Sequence, residues 1–184
     1  MFVVNPANPV QNVSVPQLRD IYRGTIRGWS GLAGRGEAIH PVVQPMESDV
    51  TAFFGDRVME GEAIGARVIT EASDSAVAAR VAADPLALGY VSMATEKRGT
   101  ATLHVAALRG LPTMRPDVET VYAGTYPVTR FFSLYFRTEG SLLAKGFNTF
   151  VTSHDGQKIV HEVGLVPTSV PVRFVRRSPM IPSH

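Results

Sequence analysis

The stretch IHPVVQPMESDVTAFF, residues 39–54, contains the unit that decides the fold. Its first five residues are an apolar run typical of a buried strand. Ser48 is a suitable N-cap for a helix whose apolar face includes Val50 and Phe54. The first N–H groups of such a helix have no intrahelical acceptor and can hold an anion. The residue after the cap is the acid Asp49, however, which raises the question of what this turn can bind.

Strands and helices alternate along the rest of the chain. Further strands are predicted at residues 2–4, 88–93, 102–108 and 129–136, the last being the most apolar run, TRFFSLYF. Further helices are predicted after the caps Ser14, Ser73 and Ser141, and at residues 117–122 and 155–163. The helix after Ser141 carries Leu143, Phe147, Phe150 and Val151 at core spacing. This alternation predicts an α/β architecture with a mainly parallel sheet.

Composition excludes several classes of protein. The 184 residues carry a net charge of only +2, and the single basic cluster (Arg173, Arg176 and Arg177) lies near the end of the chain, so we expect no nucleic-acid partner. The absence of cysteine excludes disulfides and thiol chemistry. No stretch approaches the roughly 20 apolar residues of a membrane span, so no insertion is expected. The opening residues lack the pattern of a signal peptide, because Asn5 and Pro6 interrupt their apolar run.

The sequence nominates no catalytic centre. His154 and His161 are seven residues apart, a spacing that fits neither of the common zinc motifs. The sequence also lacks a nucleophile elbow, a dinucleotide-binding glycine motif and a phosphate-binding Walker loop. We therefore predict that the protein is not an enzyme and has neither a cofactor nor a metal.

The order of several segments resembles a known family. NVSVPQLRDIYRGTIRGWSGLAGRGEAIHPVVQ, ALGYVSMA, AGTYPVTRFFSLYF and FNTFVTSHDGQKIVHEVGLVP occur in the order and spacing of the phosphate-binding proteins of ABC importers, which are type II periplasmic solute-binding proteins. The resemblance covers roughly residues 3–167. It implies two α/β lobes around a cleft that holds an oxyanion, a location in the periplasm or elsewhere outside the cytoplasm, and an ABC permease as partner.

The resemblance also implies a division of the chain. Residues 6–124 correspond to a nearly complete second lobe, residues 1–5 and 125–170 to the returning part of the first lobe, and residues 171–184 to a flexible tail. On this reading the chain is incomplete at its N-terminus relative to the family. The strand TRFFSLYF would then lack neighbours, so we expect self-association or a second chain that completes the lobe.

The family's anion motif is an arginine, then three residues, then Ser-Gly-Thr at a helix start. Aligned on Ser48, this chain has Gln44 for the arginine, Asp49 for the glycine and Val50 for the threonine. These four residues are the candidate ligand-binding residues, and the changes predict a degraded or altered site. Asp49 can accept a proton from an oxyanion or point into solvent. Two functions follow: a binding module for an oxyanion or another small polar ligand, or a truncated or non-transport interaction protein that keeps the fold without a ligand.

Overall fold

The computed structural model describes residues 1–32, 34–65, 67–135, 137 and 141–168. Its strands are β1 (Phe2–Val4), β2 (Asn12–Ser14), β3 (His40–Val43), β4 (Ile69–Thr70), β5 (Ala87–Tyr90), β6 (Ala101–Thr102) and β7 (His104–Ala106). Its α-helices are α1 (Val15–Arg23), α2 (Asp49–Arg57), α3 (Asp74–Ala83), α4 (Val118–Tyr122), α5 (Leu142–Thr152) and α6 (His154–Glu162), and a 3-10 turn spans Trp29–Leu32. The predicted strand–helix unit at the end of β3 is confirmed.

Local capping chemistry explains where the helices begin. Ser14, Ser48, Ser73 and Ser141 all act as N-caps, and each side chain accepts a hydrogen bond from a backbone N–H one turn into its helix. At α1 the Ser14 backbone N–H donates a hydrogen bond to Oε1 of Gln17, which completes a capping box. The same helix ends at Gly24, whose φ of 83° is the left-handed conformation that glycine adopts without a steric penalty.

The larger sheet has five strands in the order β4-β3-β5-β1-β6. β3 pairs in parallel with β4 and β5, whereas β1 pairs antiparallel with both β5 and β6. Four of its five strands therefore run in the same direction and only β1 opposes them, so the prediction of a mainly parallel sheet is confirmed, with one antiparallel strand that it did not include. The direction of β1 could not be predicted from its three apolar residues, because it depends on the strands with which β1 pairs later in the chain. A smaller parallel sheet joins β2 to β7.

Helices cover both faces of the larger sheet. α1 and α2 pack on one face, and α3 packs on the other. Residues of β1 alternate between the two cores, because Phe2 and Val4 face α1 and α2 while Val3 faces α3. The first core is built around aromatic rings, with the Phe54 and Tyr90 rings stacked at 4.5 Å. Burial on both faces explains why these strands are continuously apolar.

Some element limits differ from the prediction. The strand expected at residues 88–93 ends at Tyr90, and the one expected at 102–108 is divided into β6 and β7. The sequence assigned residues 1–5 to another lobe, whereas β1 lies between β5 and β6. A lobe beginning at residue 6 would therefore lack a central strand. The division of the remaining residues stays a prediction, and residues 169–184 lie outside the described part.

The described residues from 129 onward, which we call the outer segment, differ from the body formed by the described residues up to 128. Residues 129–135 were predicted as the strongest strand, but they form none, and Phe136 lies outside the described residues. Phe131 is 79% exposed and Tyr135 is 91% exposed. Most of the predicted core face of α5 is also exposed, with Leu143 at 83%, and only Val151 is half-buried. Apolar residues form a strand when a neighbour offers hydrogen bonds and a surface to pack on, and the described residues supply neither here.

Candidate functional site

The carboxyl ends of three parallel strands meet at one edge of the larger sheet. β3 leads to Gln44, β4 leads to α3, and β5 leads to Ser92. Because β3 pairs in parallel with both β4 and β5, these continuations lie side by side. Ligands of open α/β sheets bind outside the carboxyl ends of the strands. We call residues 44–51 at this edge the β3–α2 corner and treat it as the candidate site.

Gln44 turns its side chain into the protein. It is 7% exposed, and its Nε2 donates a hydrogen bond to Oδ1 of Asp74, at the start of α3. The other oxygen of Asp74, Oδ2, accepts from the backbone N–H of Ser92 at 2.8 Å and from the Thr95 hydroxyl at 2.9 Å. A carboxylate that accepts several hydrogen bonds is held firmly, and its charge also favours the helix start. The Gln44 amide is therefore directed at an internal acceptor.

Ser48 is also bonded within the corner. Its Oγ accepts from the Thr51 backbone N–H at 3.1 Å and donates to the Thr51 hydroxyl at 3.0 Å. The Thr51 hydroxyl in turn donates to the Gln44 carbonyl at 3.1 Å, so the Tyr90 hydroxyl at 3.0 Å donates to Thr51. Burial raises the pKa of Tyr90, which keeps this phenol protonated as the donor. The hydroxyl of Ser48 is thus committed to stabilising the corner.

Asp49 and Val50 occupy the first turn of α2 with different surroundings. Val50 is half-buried and packs against the first core. The Asp49 side chain is 89% exposed, and its Oδ2 lies 3.6 Å from Nη2 of Arg130. Of the two alternatives for Asp49, the structure places its carboxylate in solvent beside a guanidinium.

Arg130 comes from the outer segment and reaches the start of α2. Its guanidinium carbon lies 5.1 Å from the centre of the Phe132 ring and 6.0 Å from the centre of the Phe53 ring. Such contacts favour a cation over an aromatic face. The arginine side chain is 31% exposed, so the two rings leave part of the guanidinium accessible.

The structure brings the four predicted residues to one turn, with Gln44 and Ser48 linked through Thr51. Sequence reasoning missed Asp74 and Arg130. Asp74 follows the cap Ser73 as Asp49 follows Ser48, but this pattern alone indicates only a favourable helix start. Arg130 lies in the motif AGTYPVTRFFSLYF, whose spacing to α2 gives no sign of contact.

Within the described ranges, no group of three or more His, Asp or Glu side chains is arranged to hold a metal ion. No helix in those ranges combines the length and the apolar character needed to cross a membrane. The basic cluster at residues 173–177 lies outside the described part.

The chain has clear relatives. The profile of the PBP superfamily domain matches residues 1–155. The phosphate-binding protein PstS of Bacillus subtilis is 31% identical over 169 residues, which cover 90% of this chain and 54% of the relative. The chain therefore spans about half the length of the curated relative it matches.

Solved structures show the same fold. A candidate phosphate ABC transporter substrate-binding protein from Clostridium perfringens, whose structure holds bound phosphate, is 24% identical with a TM-score of 0.72, covering 91% of this chain and 68% of that one. An ABC-type phosphate transport receptor from Vibrio cholerae is 24% identical with a TM-score of 0.75, covering 90% and 67%. The fold class predicted from the sequence is confirmed. The chain belongs to the PBP superfamily, in the family that includes the phosphate-binding proteins of ABC transporters.

Proposed function

We propose that this chain is a solute-binding module of an ABC importer whose β3–α2 corner takes a small oxyanion or another small polar solute and holds phosphate only weakly. The observation that carries the proposal is the bonding of Gln44 and Ser48. The corner lies at the sheet edge where this type of fold binds ligands, yet both side chains direct a donor at an acceptor inside the protein.

The expected loss of phosphate affinity is large. At an effective dielectric near 20, the Asp49 carboxylate and an anion about 4 Å away repel each other by roughly 4 kcal/mol. The absence of an arginine at position 44 removes a charged hydrogen bond, which contributes roughly 1.5–3 kcal/mol. Micromolar binding corresponds to only about 8 kcal/mol. We therefore expect a phosphate dissociation constant no better than millimolar.

The relatives named above are binding proteins for phosphate or for phosphate transport, which supports a binding role without catalysis. By the same argument the partner is an ABC permease, and the site of action is the periplasm or another compartment outside the cytoplasm. These assignments concern a whole transport protein, of which this chain matches about half.

The proposal is tested by titrating the 184-residue chain with sodium phosphate at constant ionic strength and following backbone amide shifts by NMR. We expect small shifts at residues 48–51 that saturate only in the millimolar range. A micromolar constant at neutral pH would contradict the altered site. Asp56 is an exposed acid further along α2. As a control, Asp56→Asn should leave the phosphate dissociation constant unchanged.

Restoration gives the converse test. Gln44→Arg combined with Asp49→Gly and Val50→Thr supplies the guanidinium, the close backbone approach and the hydroxyl of the family motif. Asp74 already lies where an arginine at position 44 needs an acceptor. Binding should tighten by at least about tenfold for each regained charged hydrogen bond. If the triple variant binds no better than the parent, the alignment on Ser48 is wrong.

A second candidate is an interaction protein that keeps the fold without a ligand. It is favoured by the exposed apolar side chains of the outer segment, which suit a protein partner better than a solute. This candidate predicts that no anion shifts the amides of residues 48–51, and that the chain forms a stable complex with a partner or with itself.

A further inference from the structure

We propose that Arg130 supplies the positive charge of the β3–α2 corner and that Asp49 is a built-in competitor for it. The inference rests on the proposed function, since it assumes that the corner receives a ligand. It adds a specificity-determining residue from the outer segment and a ligand class, small anions in preference to neutral polar solutes.

Arg130 is placed for this role by its surroundings. The rings of Phe53 and Phe132 hold the guanidinium, and one of its nitrogens points to the first residue of α2. Gln44 carries no charge at the position where the family places arginine. In the described part of the chain, Arg130 is the cation whose ion pair reaches the β3–α2 corner.

The two acids at this edge differ in how firmly they are held. Asp74 accepts hydrogen bonds from Gln44, Ser92 and Thr95, so an arriving anion cannot easily move it. Asp49 is 89% exposed, and its separation of 3.6 Å from Arg130 exceeds the 2.7–2.9 Å usual for a charge-assisted hydrogen bond. Exposed ion pairs of this kind are weak. Asp49 is therefore the acid that an arriving anion can displace from Arg130.

The carboxylate of Asp49 indicates the chemistry of the ligand. Its Oδ2 lies beside one nitrogen of the guanidinium, which is a place that an oxygen of a small oxyanion could take. An anion that displaces Asp49 exchanges one oxygen partner of Arg130 for another. A neutral solute has no such exchange to make and must bind beside an intact ion pair.

The test uses the whole chain and four variants: Asp49→Asn, Arg130→Gln, and two double variants that combine Asp49→Asn with Arg130→Gln or with Arg130→Lys. Each is titrated with inorganic phosphate at constant ionic strength. The measured signals are the backbone amides of residues 48–51 and the side-chain Nε–H of Arg130. Arg57→Gln, an exposed arginine at the end of α2, is the control for general loss of positive charge.

We expect Asp49→Asn to tighten phosphate binding by at least about tenfold and to shift the Arg130 Nε–H signal on binding. Combined with Asp49→Asn, Arg130→Gln should remove most of this gain, whereas Arg130→Lys should keep more of it because the positive charge remains. Glucose, as a neutral polar probe, should bind Asp49→Asn no better than the parent.

Each other outcome overturns a different statement. An equal gain in the double variant with Arg130→Gln means that the loss of the Asp49 charge acts without Arg130, which contradicts the role of Arg130 but keeps the proposed function. An unchanged constant in Asp49→Asn contradicts the competition. No shift at residues 48–51 in any variant contradicts the proposed function itself. If Arg130→Gln lowers the melting temperature, the double variant with Arg130→Lys decides: a gain close to that of Asp49→Asn supports the role of the charge at position 130, and a gain as small as with Arg130→Gln contradicts it.

Discussion

Both β5 in the body and the run at residues 129–135 in the outer segment are rich in apolar residues, yet only the first forms a strand. Leu88 of β5 is fully buried between β3 and β1, whereas Phe131 leaves 79% of its surface exposed. The difference lies in the neighbours, since β5 has a paired strand on each side and a helix on each face. An apolar pattern therefore indicates the capacity to form a strand, and its partners decide whether the strand exists.

The largest expected effect of this difference is on association. Leaving four such apolar side chains uncovered forfeits roughly 1.5–3 kcal/mol each, against a total stability of about 5–15 kcal/mol for a domain. We predict that the isolated chain dimerises, aggregates or strongly binds a hydrophobic dye. Phe131→Ser with Tyr135→Ser and Leu143→Ser should make it monomeric in light scattering, whereas Leu111→Ser, an exposed leucine of the body, should not.

A monodisperse parent chain of 19.9 kDa with a cooperative melt would contradict the prediction. It would mean that the outer segment closes on itself and buries its apolar side chains in solution, as the body does.

The next largest effect is on stability, when leucine is replaced by alanine once in the body and once in the outer segment. Leu88→Ala should lower the free energy of unfolding by about 2–5 kcal/mol, because it leaves a cavity in the first core. Leu143→Ala should change it by less than about 0.5 kcal/mol, because the side chain is already 83% exposed. Urea denaturation of both variants measures the difference. Similar losses would show that α5 is packed in solution.

The smallest effect concerns an acid of the body. Burial of Asp84 opposes its ionisation, but the hydrogen bond from His40 and the Leu86 N–H outweigh burial and lower the pKa of Asp84. A lowered folded-state pKa adds stability above the unfolded value, near 3.9, and this is lost as the pH falls through the folded value. Asp84→Asn should therefore cost about 1 kcal/mol at pH 7 and almost nothing near pH 2.

Melting temperatures at the two pH values check this, with Asp155→Asn in the outer segment as the matched control. Asp155 is exposed, and its replacement should matter little at either pH. A cost for Asp84→Asn that is the same at pH 7 and pH 2 would exclude the charge as its source.

Local features of the fold were predictable from the sequence, and features that join distant residues were not. Serine caps and apolar periodicity located α1, α2 and α3, because a helix start depends on residues within one turn. The antiparallel direction of β1 escaped prediction, because it is set by pairing with residues near 90 and 102.

The candidate site follows the same rule. Ser48 was predictable as a cap, and the resemblance identified Gln44, Asp49 and Val50 as replaced positions. The bond from Gln44 to Asp74 spans 30 residues, and Arg130 lies still further from the residue it contacts. No short motif encodes either contact, so both needed the folded chain.

The position of β1 has a consequence for synthesis on the ribosome. Phe2 pairs with Tyr90 and Val3 pairs with Thr102, so this strand has to wait for nearly a hundred later residues. At roughly 5–20 residues per second, the wait is about 5–20 seconds. During that time three apolar residues remain unpaired while β3, β4 and β5 are being made. The sheet can therefore close only after residue 102 has been made, and a chaperone that shields β1 would act in this interval.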